Sequence, residues 1–419
     1  MPANNACYEE AKQRYASLGV DVERAMEQLK NIPISIHCWQ GDDVRGFENS
    51  SEELGGGLAV TGNHPGRARN ITELRQDLEQ ALKLLPGKHR LNLHAIYGDF
   101  AGKKVERNQL TISQFESWIQ WCAQLGLGMD FNPSCFSHPL AADGFTLSHS
   151  DEKIRRFWVE HCRVCRRIGA EAGRRLGSAC VTNIWIPDGM KDRPADRMSH
   201  RVRLRESLDE IFSEPLDEKE NIDALESKLF GIGSESFVVG SHEFYLGYAV
   251  KNKKALCLDA GHFHPTENLS DKISSVLLFV PRILLHVSRG IRWDSDHVVV
   301  LDDATTEIMR EVVRCGMLDR IHIGLDYFDA SINRIAAWVL GVRAARKALL
   351  IALLDPSEKL RESESSGNYT GRLILQEAAK ALPWSAVWQE FLRRADVADD
   401  VQIEAEINTY ERDVLCRRD

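Results

Sequence analysis

Eight short apolar runs recur along the chain, and each gives way at its end to groups that can bind or catalyse. They are ISIHCW (34–39), RLNLHAIY (90–97), LGMDFNP (127–133), CVTNIWIP (180–187), IDALESKLF (222–230), ALCLDAGHF (255–263), ILLHVSR (283–289) and RIHIGLDYF (320–328). Stretches of helical period separate them, the pattern of a parallel sheet joined by crossover helices. Eight such units close an α/β fold of the (β/α)8 TIM-barrel type, in which the C-terminal ends of all strands converge on one face and the site is built there. The groups delivered to that face are His37, His94, Asp130, Asn132, Asn183, Glu226, Asp259, His262, His286 and Asp326. A doubly wound sheet would instead need a Gly-rich phosphate turn. Its one candidate, GIGSES (231–236), lacks the third glycine and reads as a plain loop.

With 419 residues, 43% of them hydrophobic, the chain can bury one large core and carry extensions. Residues 1–345 are expected to form a barrel with an N-terminal helix. Residues 346–419 are expected to form a C-terminal helical extension whose apolar faces suit packing on another subunit. The N-terminus, MPANNACYEEAKQRYASLG, is polar and helical in pattern, unlike a signal peptide. No apolar run reaches the roughly 18 residues a membrane helix needs, so a cytoplasmic protein with no membrane partner is expected. The formal charge of −9 argues against nucleic acid, and the basic run RVCRRIGAEAGRR (163–175) reads as a solvated helix face. Ten cysteines are scattered, and the one close pair, Cys162 and Cys165, has no second pair to complete a zinc site, so reduced thiols are expected. The region 41–72 follows the first strand and contains a triple glycine. It is either disordered or a lid on the catalytic face in which Leu54, Leu58 and Val60 close over a ligand.

The stretch WDSDHVVVLDD (293–303) places Asp294 and Asp296 on one side if it is extended. Alone, a solvated loop with helix-capping aspartates explains it. Together with Glu226, Asp259, His262, His286 and Asp326, it makes a rim of five carboxylates and two imidazoles. So much negative charge needs cations, and an oxygen-rich set with imidazole suits manganese, magnesium or cobalt better than a structural zinc. Asp259 and His262 diverge across a strand end, and seven ligands exceed what one small cation takes, so two divalent ions are expected.

The stretches HCWQGDD, LNLHAIY, DFNPSCFSHP, NIWIPDGMKD, ESKLFGIG, LDAGHFHPTE, RWDSDHVV and HIGLDYFDASINRIAAW, taken together, resemble the L-rhamnose isomerases, metal-dependent aldose-ketose isomerases related to xylose isomerase. The resemblance runs along essentially the whole chain, with no departure at a ligand position. It implies a homotetramer of barrels that uses Mn2+ to interconvert L-rhamnose and L-rhamnulose, the first step of L-rhamnose catabolism, with Mg2+, Co2+ or Zn2+ as alternatives at one site. It further implies that Glu226, Asp259, His286 and Asp326 hold one ion that grips substrate hydroxyls. By the same resemblance His262, Asp294 and Asp296 hold a second, catalytic ion, with Glu226 between the two.

Such a reaction moves a hydrogen between carbons 1 and 2 of the open-chain sugar, which requires opening the ring, polarising a carbonyl and moving a proton between the two adjacent oxygens, and cations held on both oxygens assist it. Asp326 is the carboxylate expected beside that proton. Lys228 shares the side of an extended strand with Glu226 and is expected to donate to the carbonyl oxygen, with a rim salt bridge as the alternative. His94 is assigned to ring opening or substrate anchoring. Trp39, Phe131, Trp185 and Phe263 are expected as walls for the sugar's CH faces, with plain core packing as the alternative. A nuclease barrel would need a basic groove beside the metals, and a barrel reduced to a scaffold would lack ligands.

Overall fold

In the computed structural model, which describes residues 2–48, 60, 62–229, 233–289 and 297–418, each of the eight predicted runs contains a strand. In chain order the strands are β1 (Ile34–His37), β2 (His89–His94), β3 (Gly128–Asn132), β4 (Cys180–Ile184), β5 (Gly189–Met190), β6 (Asn221–Glu226), β7 (Phe237–Val238), β8 (Ala255–Asp259), β9 (Ile283–Val287) and β10 (Ile321–Leu325). Parallel pairing closes a barrel in the order β1-β10-β9-β8-β6-β4-β3-β2, while β5 and β7 form a separate antiparallel ribbon. Ile34 faces His89 on one side and Ile323 on the other, so the first strand seals the ring between its nearest and farthest neighbours in sequence.

Period-two alternation sorts each strand between two cores. Val181, Ile222, Ala224, Ala255, Cys257 and Leu284 pack inside the barrel. Leu225, Leu256, Leu258, Ile283 and Leu285 join the larger core between strands and helices. Polar groups close the lower interior: Asp130 accepts from Arg90 at 2.8 Å, from Ser35 Oγ at 2.5 Å and from the Val181 amide at 2.9 Å. Asp130, a strand-end candidate, therefore belongs to a satisfied buried ion pair.

Side-chain caps start the helices at the expected residue types. Asn70, Asp302 and Asn333 each accept from amides in the first turn of Ile71–Lys83, Asp303–Arg314 and Arg334–Leu353. The last of these helices lies against the barrel seam. Its Trp338 Nε1 donates to the His37 carbonyl at 2.8 Å, and its Arg346 guanidinium donates to the carbonyls of Leu29 and Ile32 at 3.0 and 3.3 Å. Gly341 permits the approach, because a Cβ there would stand 2.1 Å from the Tyr327 hydroxyl. This helix runs unbroken through residues 345 and 346 and ends at Leu353.

The extension returns to the barrel. Arg418 pairs with buried Asp77 at 2.6 Å and Tyr410 donates to the same carboxylate at 2.7 Å. The helix Tyr369–Lys380 leaves Leu373 and Ile374 56% and 65% exposed. No helix among the described residues is long and apolar enough to cross a membrane. The basic run corrects its reading at one place: Arg166 is buried and donates to Asp223 at 2.8 Å. All ten cysteines are free thiols, Cys162 and Cys165 among them, on the helix Glu152–Leu176.

Candidate active site

Parity and strand order bring four of the expected ligands to one point. Glu226 and Asp259 end β6 and β8, His286 is the last residue but one of β9, and Asp326 follows β10; one ligand atom from each lies within 4.8 Å of all the others. Glu226, Asp259 and His286 are almost wholly buried, whereas the Asp326 side chain keeps 25% of its surface. His286 Nδ1 stands 3.1 Å from Asp326 Oδ2, 3.4 Å from Glu226 Oε2 and 3.7 Å from Asp259 Oδ2. Neither of its ring nitrogens makes a hydrogen bond. The nitrogen therefore aims between the oxygens and not at any one of them. A buried imidazole and three carboxylates facing a common space fit a divalent cation, since without one their mutual desolvation is costly.

The electrostatics record that conflict. Burial pushes the Asp259 carboxyl up to about 6, an effect His262 opposes and the charges of Asp326 and Glu226 reinforce. Burial would also raise Asp326, but the adjoining His286 imidazole outweighs it and holds the carboxyl at about 2. Burial alone would lower His286, yet Cys257, Glu226 and Asp326 around it drive it well above the ordinary histidine value.

Neighbouring donors orient the carboxylates. Trp39 Nε1 donates to Asp326 Oδ1 at 3.0 Å, Asn183 Nδ2 donates to Glu226 Oε2, and Asp259 Oδ1 accepts from the Gly261 amide at 2.7 Å and from Ser288 Oγ at 3.2 Å. His262 Nδ1 lies 3.4 Å from Glu226 Oε1 and also makes no hydrogen bond. The two oxygens of Glu226 thus face two different imidazoles. Asp294 and Asp296 fall outside the described residues, as do Leu54 and Leu58 of the expected lid.

An aromatic wall runs beside the cluster. The His94 ring meets Trp39 at 4.9 Å and Phe136 at 5.2 Å, and Phe136 meets Trp185 at 6.1 Å. The Lys228 ammonium lies 5.9 Å from the Trp185 ring centre. Burial lowers Lys228 to about 8 and His94 to about 4, so near neutral pH the lysine is charged and the imidazole is not. Phe263 packs on His242 at 5.1 Å, with the Lys272 ammonium 4.5 Å above its ring.

Phe131 corrects its reading. It is fully buried and meets Phe115 edge-on at 4.6 Å, because Asp130 and Asn132 on either side take the inward positions of β3. It is core of the helix layer and not a wall of the site. Three participants go unremarked in the sequence reading: Phe136, Ser288 and Cys257. For Cys257 the strand period offered a pointer, since it lies two residues before Asp259 on the same side of β8.

A sequence profile described as L-rhamnose isomerase (RhaA) matches residues 3–418. The L-rhamnose isomerase of Salmonella paratyphi B is 59% identical over 411 residues, covering 98% of each chain, and that of Salmonella enteritidis PT4 matches with the same identity and coverage. Among solved structures, an L-ribulose 3-epimerase superposes with a TM-score of 0.50 over 78% of this chain and 96% of its own, at 13% identity, a likeness of barrel fold alone. Matched from end to end by that profile and by relatives of this identity, the chain belongs to the L-rhamnose isomerase family.

Proposed function

We propose that the strand-end cluster is the centre at which the chain interconverts L-rhamnose and L-rhamnulose, with Mn2+ held by Glu226, Asp259, His286 and Asp326. The observation that carries this reading is the buried His286 Nδ1, ringed by three carboxylates and hydrogen-bonded to none. A divalent cation bound there supplies Lewis-acid polarisation of the sugar's adjacent oxygens and neutralises the carboxylates.

The chain's own residues do the rest. Asp326, the most exposed member of the set, carries the proton that passes between the sugar's first two oxygens. Lys228 donates to the carbonyl oxygen and favours the state in which negative charge builds there. His94 Nδ1 lies 3.2 Å from the Pro133 carbonyl, which accepts only, so that nitrogen carries the hydrogen and Nε2 is left as the acceptor. A hydroxyl of the closed ring bound at Nε2 is anchored for opening. Trp39, Trp185 and Phe263, joined by Phe136, present ring faces to the sugar's CH groups and exclude water.

His262, Asp294 and Asp296 would hold a second ion close to Glu226, whose Oε1 faces His262. The chain would form a cytoplasmic homotetramer. Ten free thiols suit a reducing compartment, and the exposed apolar face of Tyr369–Lys380 suits burial between subunits. The test is direct: protein stripped of metal is incubated with L-rhamnose, with and without Mn2+. Ketose forms only with the ion; full turnover in metal-free protein would overturn the proposal.

A further inference from the structure

One step below Asp259 on β8, Cys257 points into the barrel from the same face. Its Sγ, a carboxylate oxygen of Glu226 and a ring nitrogen of His286 all lie within 4.8 Å of one another. All three residues are buried, Cys257 to 1% exposure. Below them the interior is apolar, lined by Val181, Ile222, Ala224, Ala255 and Leu284. His286, 1% exposed and without a hydrogen bond at either ring nitrogen, belongs to both groupings, and so does Glu226. The centre therefore has an oxygen-rich upper side, formed by Asp259 and Asp326, and a sulfur on its lower side.

Hard cations such as Mn2+ and Mg2+ favour the carboxylates and gain little from a thiol. Thiophilic ions favour sulfur and nitrogen, and three protein ligands with one open position is a coordination they accept. We propose that Glu226, Cys257 and His286 form a deeper position that takes thiophilic divalent ions, cadmium or zinc, in competition with the oxygen-bound ion above. The inference rests on the reading that this cluster holds a divalent cation. Binding replaces the S–H bond of Cys257 with a metal–sulfur bond and releases that proton to solvent; no electron is transferred. Because two ligands are shared, the soft ion displaces the hard one and does not add to it.

The test uses full-length protein stripped of metal, with the exposed Cys7 and Cys416 replaced by serine to remove competing thiols. Cadmium is titrated in and followed by thiolate-to-cadmium charge-transfer absorption and by released protons. The expected result is a band that saturates at about one equivalent per chain, disappears when Mn2+ is added in excess, and is absent in Cys257→Ser. An equal band in Cys257→Ser, or a band indifferent to Mn2+, overturns the proposal. If Cys257→Ser fails to fold, Mn2+ competition in the parent protein decides alone. Mn2+ binding is read separately by electron paramagnetic resonance. Mn2+ bound with no Cys257-dependent band defeats only this inference. No Mn2+ bound, with the band present, defeats the proposed manganese centre instead.

Discussion

The indole Nε1 of Trp39 donates a 3.0 Å hydrogen bond to Oδ1 of Asp326, joining residues 287 apart in sequence across the seam where the barrel closes. It holds the carboxylate so that Oδ2 turns to His286, 3.1 Å away. Trp39→Phe keeps an aromatic wall and removes the donor. Mn2+ affinity should fall by about ten- to a hundredfold, the range for losing a partner that orients a ligand, with the circular dichroism spectrum unchanged. Unaltered affinity in a paramagnetic-resonance titration would reduce the indole to a wall.

Lys228→Met keeps most of the stem's volume and removes the charge near Trp185. A donor that strengthens its bond as charge builds acts on the chemical step, so kcat should fall roughly a hundredfold or more, with a modest change in KM and metal still bound. A KM rise at constant kcat would assign Lys228 to uniform binding. Loss of metal would make it a counter-charge for the rim.

His262→Ala should cost the chain one of two ions. Glu226, Asp259, His286 and Asp326 remain within 4.8 Å of one another in the variant's starting geometry, so the other ion stays. Metal analysis of the purified variant against the parent measures this. Two ions at full occupancy would remove His262 from the ligand set.

Acid should weaken the fold through His161. Its Nε2 accepts from the Ser134 amide and its Nδ1 meets the Arg107 carbonyl, both at 2.9 Å, and burial lowers it to about 3 from 6.5. A depressed histidine binds its proton more readily in the unfolded chain. Its contribution is therefore complete above about 6.5 and is lost as pH falls toward about 3, at about 1.4 kcal/mol per pH unit. His161→Asn should flatten the fall of the thermal midpoint between about pH 6 and 4.5. An unchanged slope would assign the acid sensitivity to other groups.

The barrel was legible because strand period and strand-end chemistry agree eight times over, and the same alternation brings Glu226, Asp259, His286 and Asp326 to one point. Phe131 shows what position along a strand misses when parity is left out: its neighbours Asp130 and Asn132 point inward, so it points outward to Phe115. Arg166 shows a different limit. Its burial depends on Asp223, 57 residues on, and no local pattern announces that pairing. The same holds for Trp39 with Asp326, which meet only once the ring has closed, and for Asn183 with Glu226, which the pairing of β4 with β6 brings together. The helix that crosses residue 345 carries on to Leu353, since nothing breaks it before the Leu354–Asp355–Pro356 turn.

Closure between Ile34 and Ile323 also sets a timetable for the centre. Pairings so distant in sequence form late, because the chain between them must first be gathered. During synthesis Trp39 leaves the ribosome early and waits for Asp326, the last of the four clustered residues to emerge. Until then Glu226, Asp259 and His286 lack the fourth member of their cluster. The four-residue cluster is thus a product of the finished barrel, complete only when the last strand has closed on the first.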